Sequence, residues 1–436
     1  MRRAGALLLL LAAVGVMPNA GAQVEPPPSR PNILIILTDD QRAGLPKTMP
    51  VTKNWFQNNG RKFWRAFAST PLCCPARASL MSGRYAHNHG VTSNTNAANF
   101  DLSKTMQRYL LDAGYRTGIV GKFLNGWDVE KDPPFWSSWS IARGGYFSDR
   151  EWNFNGTLNT EDTYYTTMVR RRSLRFLREA EVINDDQPWL LYVAPFAPHG
   201  PNIPERKYAD LPVRRWDGNP AVSERDLSDK PPWWRQKSCD LDCGNGIRRK
   251  QIRTLASVDD MIAAMRDAMN QLGEQDTLAI FMSDNGYMWF EHTLDAKRHA
   301  YDESVKIPMF VRWPGHVAAG GKDFDTVGNI DVASTIYEAT GVSPSYTPDG
   351  RSLFAPGSRR YLLAEHWKYG TVPTWQGLWS PGDVFVRHAG GFREYYSADD
   401  SWQLLNIYKD GVTGNEPSGL DQLLTEQIGC RGSSCL

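Results

Sequence analysis

After its first two dozen residues the chain has no long apolar run, no surplus of one charge and few cysteines, and each shortage excludes a class of behaviour. Without a later stretch of about 20 apolar residues, no membrane span is expected. Lys plus Arg number 49 against 48 Asp plus Glu, so there is no overall field to draw in nucleic acid, and any anion must be gripped locally. The start itself is different. MRRAGALLLLLAAVGVMPNAGAQ has a basic beginning, an apolar run and the small residues Ala20-Gly21-Ala22, which reads as a cleavable signal peptide over residues 1–22. A secreted, periplasmic or lumenal location is therefore expected, with roughly 410 residues left to build a sizeable core.

The six cysteines fall as Cys73-Cys74, Cys239/Cys243 and Cys430/Cys435. In an exported chain the last two pairs read as local disulfides, because no clustered histidines complete a zinc site at either. Adjacent cysteines bond to each other only under severe strain, so Cys73-Cys74 needs another explanation. Tryptophan is plentiful at 16 residues, with Trp127, Trp136, Trp139, Trp152, Trp233 and Trp234 in polar, Gly-rich or Pro-rich surroundings that suit sugar or aryl groups as well as packing.

Up to about residue 345, apolar runs alternate with amphipathic stretches, the pattern of a mostly parallel sheet flanked by helices in an α/β fold. Strands are expected at 32–38, 117–120, 189–194, 277–282 and 307–312, and helices at 103–113, 163–180, 246–272 and 331–340. Residues 125–159 and 201–245 read as long substrate-side loops. From Asp349 onward the strands shorten, at 361–365, 384–388, 394–396 and 402–405, predicting a small antiparallel C-terminal subdomain. The expected division is thus 23–348 for a catalytic domain and 349–436 for the subdomain.

Several apolar runs end in a short polar group: Asp39-Asp40, Gly121-Lys122, His199, and Ser283-Asp284-Asn285. In an open parallel sheet these endings converge beyond the carboxyl ends of the strands, where ligands bind. Asp39, Asp40, Asp284 and Asn285 offer oxygen donors alone, the preference of Ca2+, with Mg2+ as the second choice. Three neighbouring carboxylates also repel one another, which calls for a cation between them.

The sharpest feature is PLCCPARASLMSGR at residues 71–84. Cys73-x-Pro75-x-Arg77, with Leu80 and Ser82-Gly83-Arg84 after it, resembles the signature of the sulfatases, a family of the alkaline-phosphatase-like superfamily. Asp39-Asp40, Lys122, the APHGP run at 197–201, Ser283-Asp284-Asn285-Gly286 and Lys297 follow in the family's order. The branch most resembled is the N-acetylglucosamine-6-sulfatases, through CCPARASLMSGRYAHNHGV, GKFLN, DNGY, Lys297-Arg298 and the closing Cys430/Cys435 pair. Two positions depart from the family pattern. Leu124 stands where many members carry histidine, so Asn125 is expected to take that contact, and Ala76 replaces a usual serine.

The resemblance implies that a formylglycine-generating enzyme oxidises Cys73, the only one of the two cysteines with proline two residues on and arginine four residues on. Cys74 then remains a small buried thiol. It further implies a site in which Asp39, Asp40, residue 73, Asp284 and Asn285 hold the metal, and in which a hydroxyl of hydrated formylglycine attacks sulfur. Arg77, Lys122 and Lys297 would neutralise the developing charge, and His199 would protonate the leaving oxygen. The implied substrate is a sulfated carbohydrate, with glucosamine 6-sulfate first, or an aryl sulfate. His87, His89 and His292 are further candidates for substrate contacts by their nearness to these motifs. One rival is a phosphate or phosphonate ester hydrolase of the same superfamily, whose usual serine or threonine nucleophile, zinc pair and several histidines are not seen here. The other is a non-enzymatic carbohydrate-binding protein, against which Cys73, Arg77, Lys122, His199 and Lys297 all stand.

Overall fold

The computed structural model describes residues 30–435 except 147–149, 234–238, 356, 358 and 409–418, so the signal peptide read at 1–22 and Trp234 lie outside the described residues. Its centre is built from strands β1 (Asn32–Thr38), β2 (Arg61–Phe67), β3 (Arg116–Gly121), β4 (Ser138–Ala142), β5 (Arg150–Phe154), β6 (Thr157–Glu161), β7 (Trp189–Ala194), β8 (Thr277–Ser283), β9 (Met309–Arg312) and β10 (Gly321–Gly328). They form one ten-stranded sheet in the order β10-β2-β9-β8-β1-β7-β3-β4-β5-β6. The middle five strands, β8-β1-β7-β3-β4, are all parallel. Strand β9 runs antiparallel to both of its neighbours, and β5 and β6 extend the far edge antiparallel.

Burial explains why β1 reads as an unbroken apolar run. Ile33, Ile35 and Leu37 enter one core and Leu34 and Ile36 another, because alternate side chains of a strand face opposite ways. Helices α1 (Cys73–Ser82), α2 (Met106–Asp112) and α5 (Asp331–Thr340) cover the first face. Helices α3 (Tyr165–Asn184) and α4 (Leu241–Leu272) cover the second, with Met168, Phe176, Leu255, Ile262 and Met269 turned inward. Among the described residues no helix is long and apolar enough to cross a membrane.

The expected loop at 125–159 instead holds β4 and β5 and reaches β6. These strands are short and β6 is almost wholly exposed, so they lack the apolar signature of the centre. Trp136 and Trp152 within this stretch pack in the two cores rather than offering faces to a ligand.

The antiparallel subdomain is present as β11 (Leu362–His366), β12 (Trp375–Trp379), β13 (Asp383–His388) and β14 (Arg393–Ser397). The strand expected at 402–405 does not form; β12 takes its place in the sheet. The subdomain shares its core with Phe67, Tyr85, Met288, Tyr301 and Ile330 of the larger part. Asp349, at the expected boundary, is buried. Its carboxylate accepts from the amides of Tyr85 and Gly432 at 2.8 and 2.7 Å and from Asn88 Nδ2 at 2.8 Å. Position 349 thus marks a change of strand pattern, and the chain there is pinned to the segment that follows α1.

Candidate active site

Each polar group that ends a central strand meets the others at one edge of the sheet. Asp39 and Asp40 follow β1, Lys122 follows β3, and Asp284 and Asn285 follow β8, while α1 delivers Cys73 from its first residue and Arg77 one turn later. Cys73 is held here because Leu72 stays extended and the helix begins at Cys73 itself. Its sulfur lies 3.2 Å from Asp39 Oδ1, 4.0 Å from Asp40 Oδ1 and 2.7 Å from the Lys297 ammonium. Lys297 Nζ also donates to Asp40, and Lys122 Nζ donates to Asp39.

Arg77, wholly buried, donates from Nε to Asp284 Oδ2 at 2.9 Å and from Nη1 to the Lys122 carbonyl at 2.8 Å; its Nη2 lies 3.6 Å from Asp39. Asp284 Oδ1 accepts the Asp40 amide at 3.1 Å, and Asn285 Nδ2 donates to Asp40 at 2.7 Å. Three carboxylates are therefore met by one guanidinium and two ammoniums.

The field inside the cluster follows from the same contacts. Burial alone raises the Asp39 carboxyl, but Lys122, His199, Arg77 and Lys297 together hold it well below the usual carboxylate range. Burial and then Asp39 push Asp284 up despite Arg77. Burial works against charge on Lys297 and Lys122, yet Asp40 keeps the first well above its ordinary value and Asp39 raises the second. Burial and Asp39 also push the Cys73 thiol up, so an unconverted cysteine stays protonated and is a poor nucleophile. Cys74 is likewise pushed up to about 12, chiefly by burial, with its sulfur 3.6 Å from the Asn125 carbonyl.

His199 stands at the mouth, about one-third exposed, with Nε2 3.7 Å from Asp40 Oδ2. A carbonyl only accepts, so the 2.7 Å contact between Nδ1 and Gly200 O fixes the proton on Nδ1 and turns Nε2 toward the cluster. The Tyr146 hydroxyl donates to the His199 carbonyl at 2.5 Å. Tyr146 carried no sequence signal, since it lies in the stretch read as a loop. Asn125 and Lys122 line a cavity of about 460 Å3 together with Trp127 and Arg143. The Asn125 side-chain oxygen is buried with no hydrogen-bond partner among the described residues.

The remaining histidines, expected near substrate, each bond to groups outside this cluster. His87 Nδ1 bonds Glu365 at 2.7 Å and Nε2 donates to the Cys430 carbonyl at 2.9 Å. His89 is buried between Ser79 Oγ at 3.0 Å and the Val91 amide at 3.1 Å. His292 is buried against Tyr301 and pairs with Glu224.

His89 supports a pH prediction. Burial lowers its pKa from 6.5 to about 3, and burial does the same to His366, so the folded chain keeps both rings neutral where the unfolded chain takes up protons. Their contribution to stability is full above about 6.5 and is lost as pH falls toward about 3. Urea titrations of the protein and of His89→Gln should give stabilities that fall less steeply with acid in the variant; identical slopes contradict the assignment.

Both remaining cysteine pairs, Cys239–Cys243 and Cys430–Cys435, are disulfides, and Cys73 and Cys74 are free. Donor atoms of Asp39, Asp40, Cys73 and His199 all lie within 4.8 Å of one another, with Asp284 and Asn285 bonded to Asp40 beside them. The carboxylate and amide oxygens fit a hard cation. The thiol does not, whereas an oxygen at position 73 would.

The mixed, mostly parallel sheet flanked by helices, with the small antiparallel sheet after it, is an α/β fold of the alkaline-phosphatase-like kind, and it gathers buried acids, ammoniums and a guanidinium at its carboxyl edge. The family model named Sulfatase matches residues 31–342, and the chain belongs to the sulfatase family. It is 32% identical over 78% of its length to an extracellular sulfatase SULF-1 homolog of Drosophila melanogaster, and 29% identical over 74% to human N-acetylglucosamine-6-sulfatase. The chain spans only 32% and 64% of those two proteins. Its fold matches the structure of BT4656 in complex with its substrate D-glucosamine-2-N,6-O-disulfate, with a TM-score of 0.75, 21% identity, and coverage of 91% of this chain and 97% of that one.

Proposed function

We propose that the protein hydrolyses sulfate esters of a sulfated carbohydrate, glucosamine 6-sulfate foremost, using formylglycine made from Cys73 by a formylglycine-generating enzyme during maturation. The observation that carries this reading is the placement of Cys73: buried at the start of α1, 3.2 Å from Asp39 and 2.7 Å from Lys297, inside a signature that matches the family. Asp39, Asp40, Asp284 and Asn285 would hold Ca2+, which supplies positive charge for the sulfate oxygens. Formylglycine, when hydrated, supplies an oxygen nucleophile that a thiol at this position is not.

The chain's own groups do the rest. Lys122 and Lys297 flank residue 73 and offset the negative charge that gathers on the sulfuryl group, in a buried setting where such charges act strongly. Arg77 is locked between Asp284 and the Lys122 carbonyl, so it fixes Lys122 as well as adding charge. His199, with its Nδ1–H held by the Gly200 carbonyl, turns Nε2 toward the cluster, from where it would protonate the departing alcohol.

His199 gives the test. Sulfate release is measured from N-acetylglucosamine 6-sulfate and from nitrophenyl sulfate, whose phenolate leaves without a proton. His199→Asn should lower kcat/KM for the sugar by about 100-fold or more and for the aryl ester far less. An equal loss on both, or no release from either by the unaltered protein, contradicts the proposal.

A further inference from the structure

His199 is held only loosely by the cluster it faces. Nε2 lies 3.7 Å from Asp40 Oδ2, beyond hydrogen-bond reach, and Nδ1 bonds the next carbonyl of its own chain, so the place of the ring depends on the loop that carries it. The support comes from behind. The Phe196 ring lies against the imidazole, with centroids 4.6 Å apart and planes tilted by 35°, and the Lys122 ammonium sits 5.6 Å from the centre of the same ring. Gly144 leaves Phe196 its place, because a Cβ there would come within 2.2 Å of that ring.

Tyr146 completes the support. Its ring meets Phe196 edge-on at 5.3 Å, and its hydroxyl donates to the His199 carbonyl at 2.5 Å. That carbonyl already accepts the Asn202 amide at 3.1 Å, so the tyrosine is not there merely to satisfy a buried acceptor. Tyr146 is itself fixed at its other end, where its carbonyl accepts the amide of Tyr165, the first residue of α3, at 3.0 Å. Burial and then Tyr164 push its hydroxyl well above the ordinary tyrosine range, which keeps it a donor. A chain of contacts thus runs from α3 through Tyr146 to the backbone of His199.

We propose that Tyr146 is a positioning residue for proton delivery: through the His199 carbonyl it sets where Nε2 stands relative to the leaving oxygen of the ester. The inference rests on the sulfate-ester reading with His199 as the acid, and it adds the group that aims that acid. Tyr146 transfers no proton itself. A misplacement of about 1 Å is enough to slow such a step by as much as about 100-fold, so one hydroxyl behind the loop carries weight.

Tyr146→Phe tests this, since it keeps the ring and removes only the hydroxyl. Values of kcat and KM are measured on N-acetylglucosamine 6-sulfate and nitrophenyl sulfate for the unaltered protein, Tyr146→Phe, His199→Asn and the double variant. Tyr164→Phe is the control, because that hydroxyl bonds the Ile203 carbonyl at 3.1 Å instead. In Tyr146→Phe, kcat on the sugar should fall about tenfold with KM within about twofold, while kcat on the aryl ester changes by less than about twofold. In the His199→Asn background the same substitution should cost nothing further on the sugar, and where the aryl ester is too slow to read, this comparison decides alone. Tyr164→Phe should leave the sugar-to-aryl ratio unchanged. Equal losses on both esters in Tyr146→Phe, a loss on the sugar that persists in His199→Asn, or sugar turnover unchanged in Tyr146→Phe each overturns the inference and leaves His199 standing as the acid. If His199→Asn itself loses equally on both esters, the functional reading fails and this one with it.

Discussion

Cys73→Ala should lower sulfate release by at least about a thousandfold and leave the fold in place, as measured by turnover and by thermal unfolding of the same sample. The first part follows from the site. Around position 73, Asp39, Lys122, Lys297 and Arg77 are arranged to stabilise charge, but none of them is placed to supply a releasable oxygen nucleophile. Cys73→Ser should be nearly as inactive, because a lone hydroxyl lacks the second oxygen needed to expel sulfate afterwards. The second part follows from size: the side chain is small, and its loss costs about 1 kcal/mol in a core of this extent. A variant that unfolds would say that Cys73 is chiefly a packing residue. A variant with full turnover would say that another residue is the nucleophile.

Arg77→Leu should cost about 3–5 kcal/mol of stability and most of the activity. Arg77 is wholly buried and is the direct partner of Asp284, with Asp39 at 3.6 Å. Removing it leaves two carboxylates in a dry setting with one fewer cation, which is the expensive way to break a buried pair. Arg77→Lys should rescue little, since one ammonium cannot span Asp284 and the Lys122 carbonyl together as the guanidinium does. Chemical unfolding curves read the loss. A change below about 1 kcal/mol would mean the cluster rearranges freely, against its burial.

The central strands were legible because burial on both faces leaves no choice but apolar residues, as in NILIILT and WLLYVA. Helix α5 was legible to its ends for a similar reason, with its inward stripe and Gly341 closing it in the left-handed conformation. What escaped was held by context. Strands β5 and β6 pair at the far edge of the sheet, where β6 is almost wholly exposed, so its composition does not separate it from a loop. In the subdomain, Trp402 and Leu405 are apolar but remain exposed, while Gln403 between them is buried and accepts the Asp302 amide at 2.7 Å. That segment packs as a turn, and β12 with its central Gly377 fills the strand position instead.

The site divides along the same line. Groups at strand ends could be gathered by topology alone, so Asp39, Asp40, Lys122, Asp284 and Asn285 were named together from sequence. The motif supplied Cys73, Arg77 and Lys297, and the structure brings all of them into one cluster. His87, His89 and His292 were chosen by proximity along the chain, which says little about direction; each turns its ring to a carboxylate, hydroxyl or backbone group away from that cluster. Arg298 is legible in sequence only as the neighbour of Lys297, because its left-handed backbone and its bonds with Trp375 and Tyr369 depend on residues far along the chain.

The central claim is that residue 73 works as an aldehyde hydrate, and the most direct measurement is the mass of the peptide spanning residues 71–84 in preparations of differing activity. Sulfate release per mole should rise in proportion to the fraction of that peptide carrying formylglycine. Full activity in a preparation whose position 73 is entirely cysteine would contradict it.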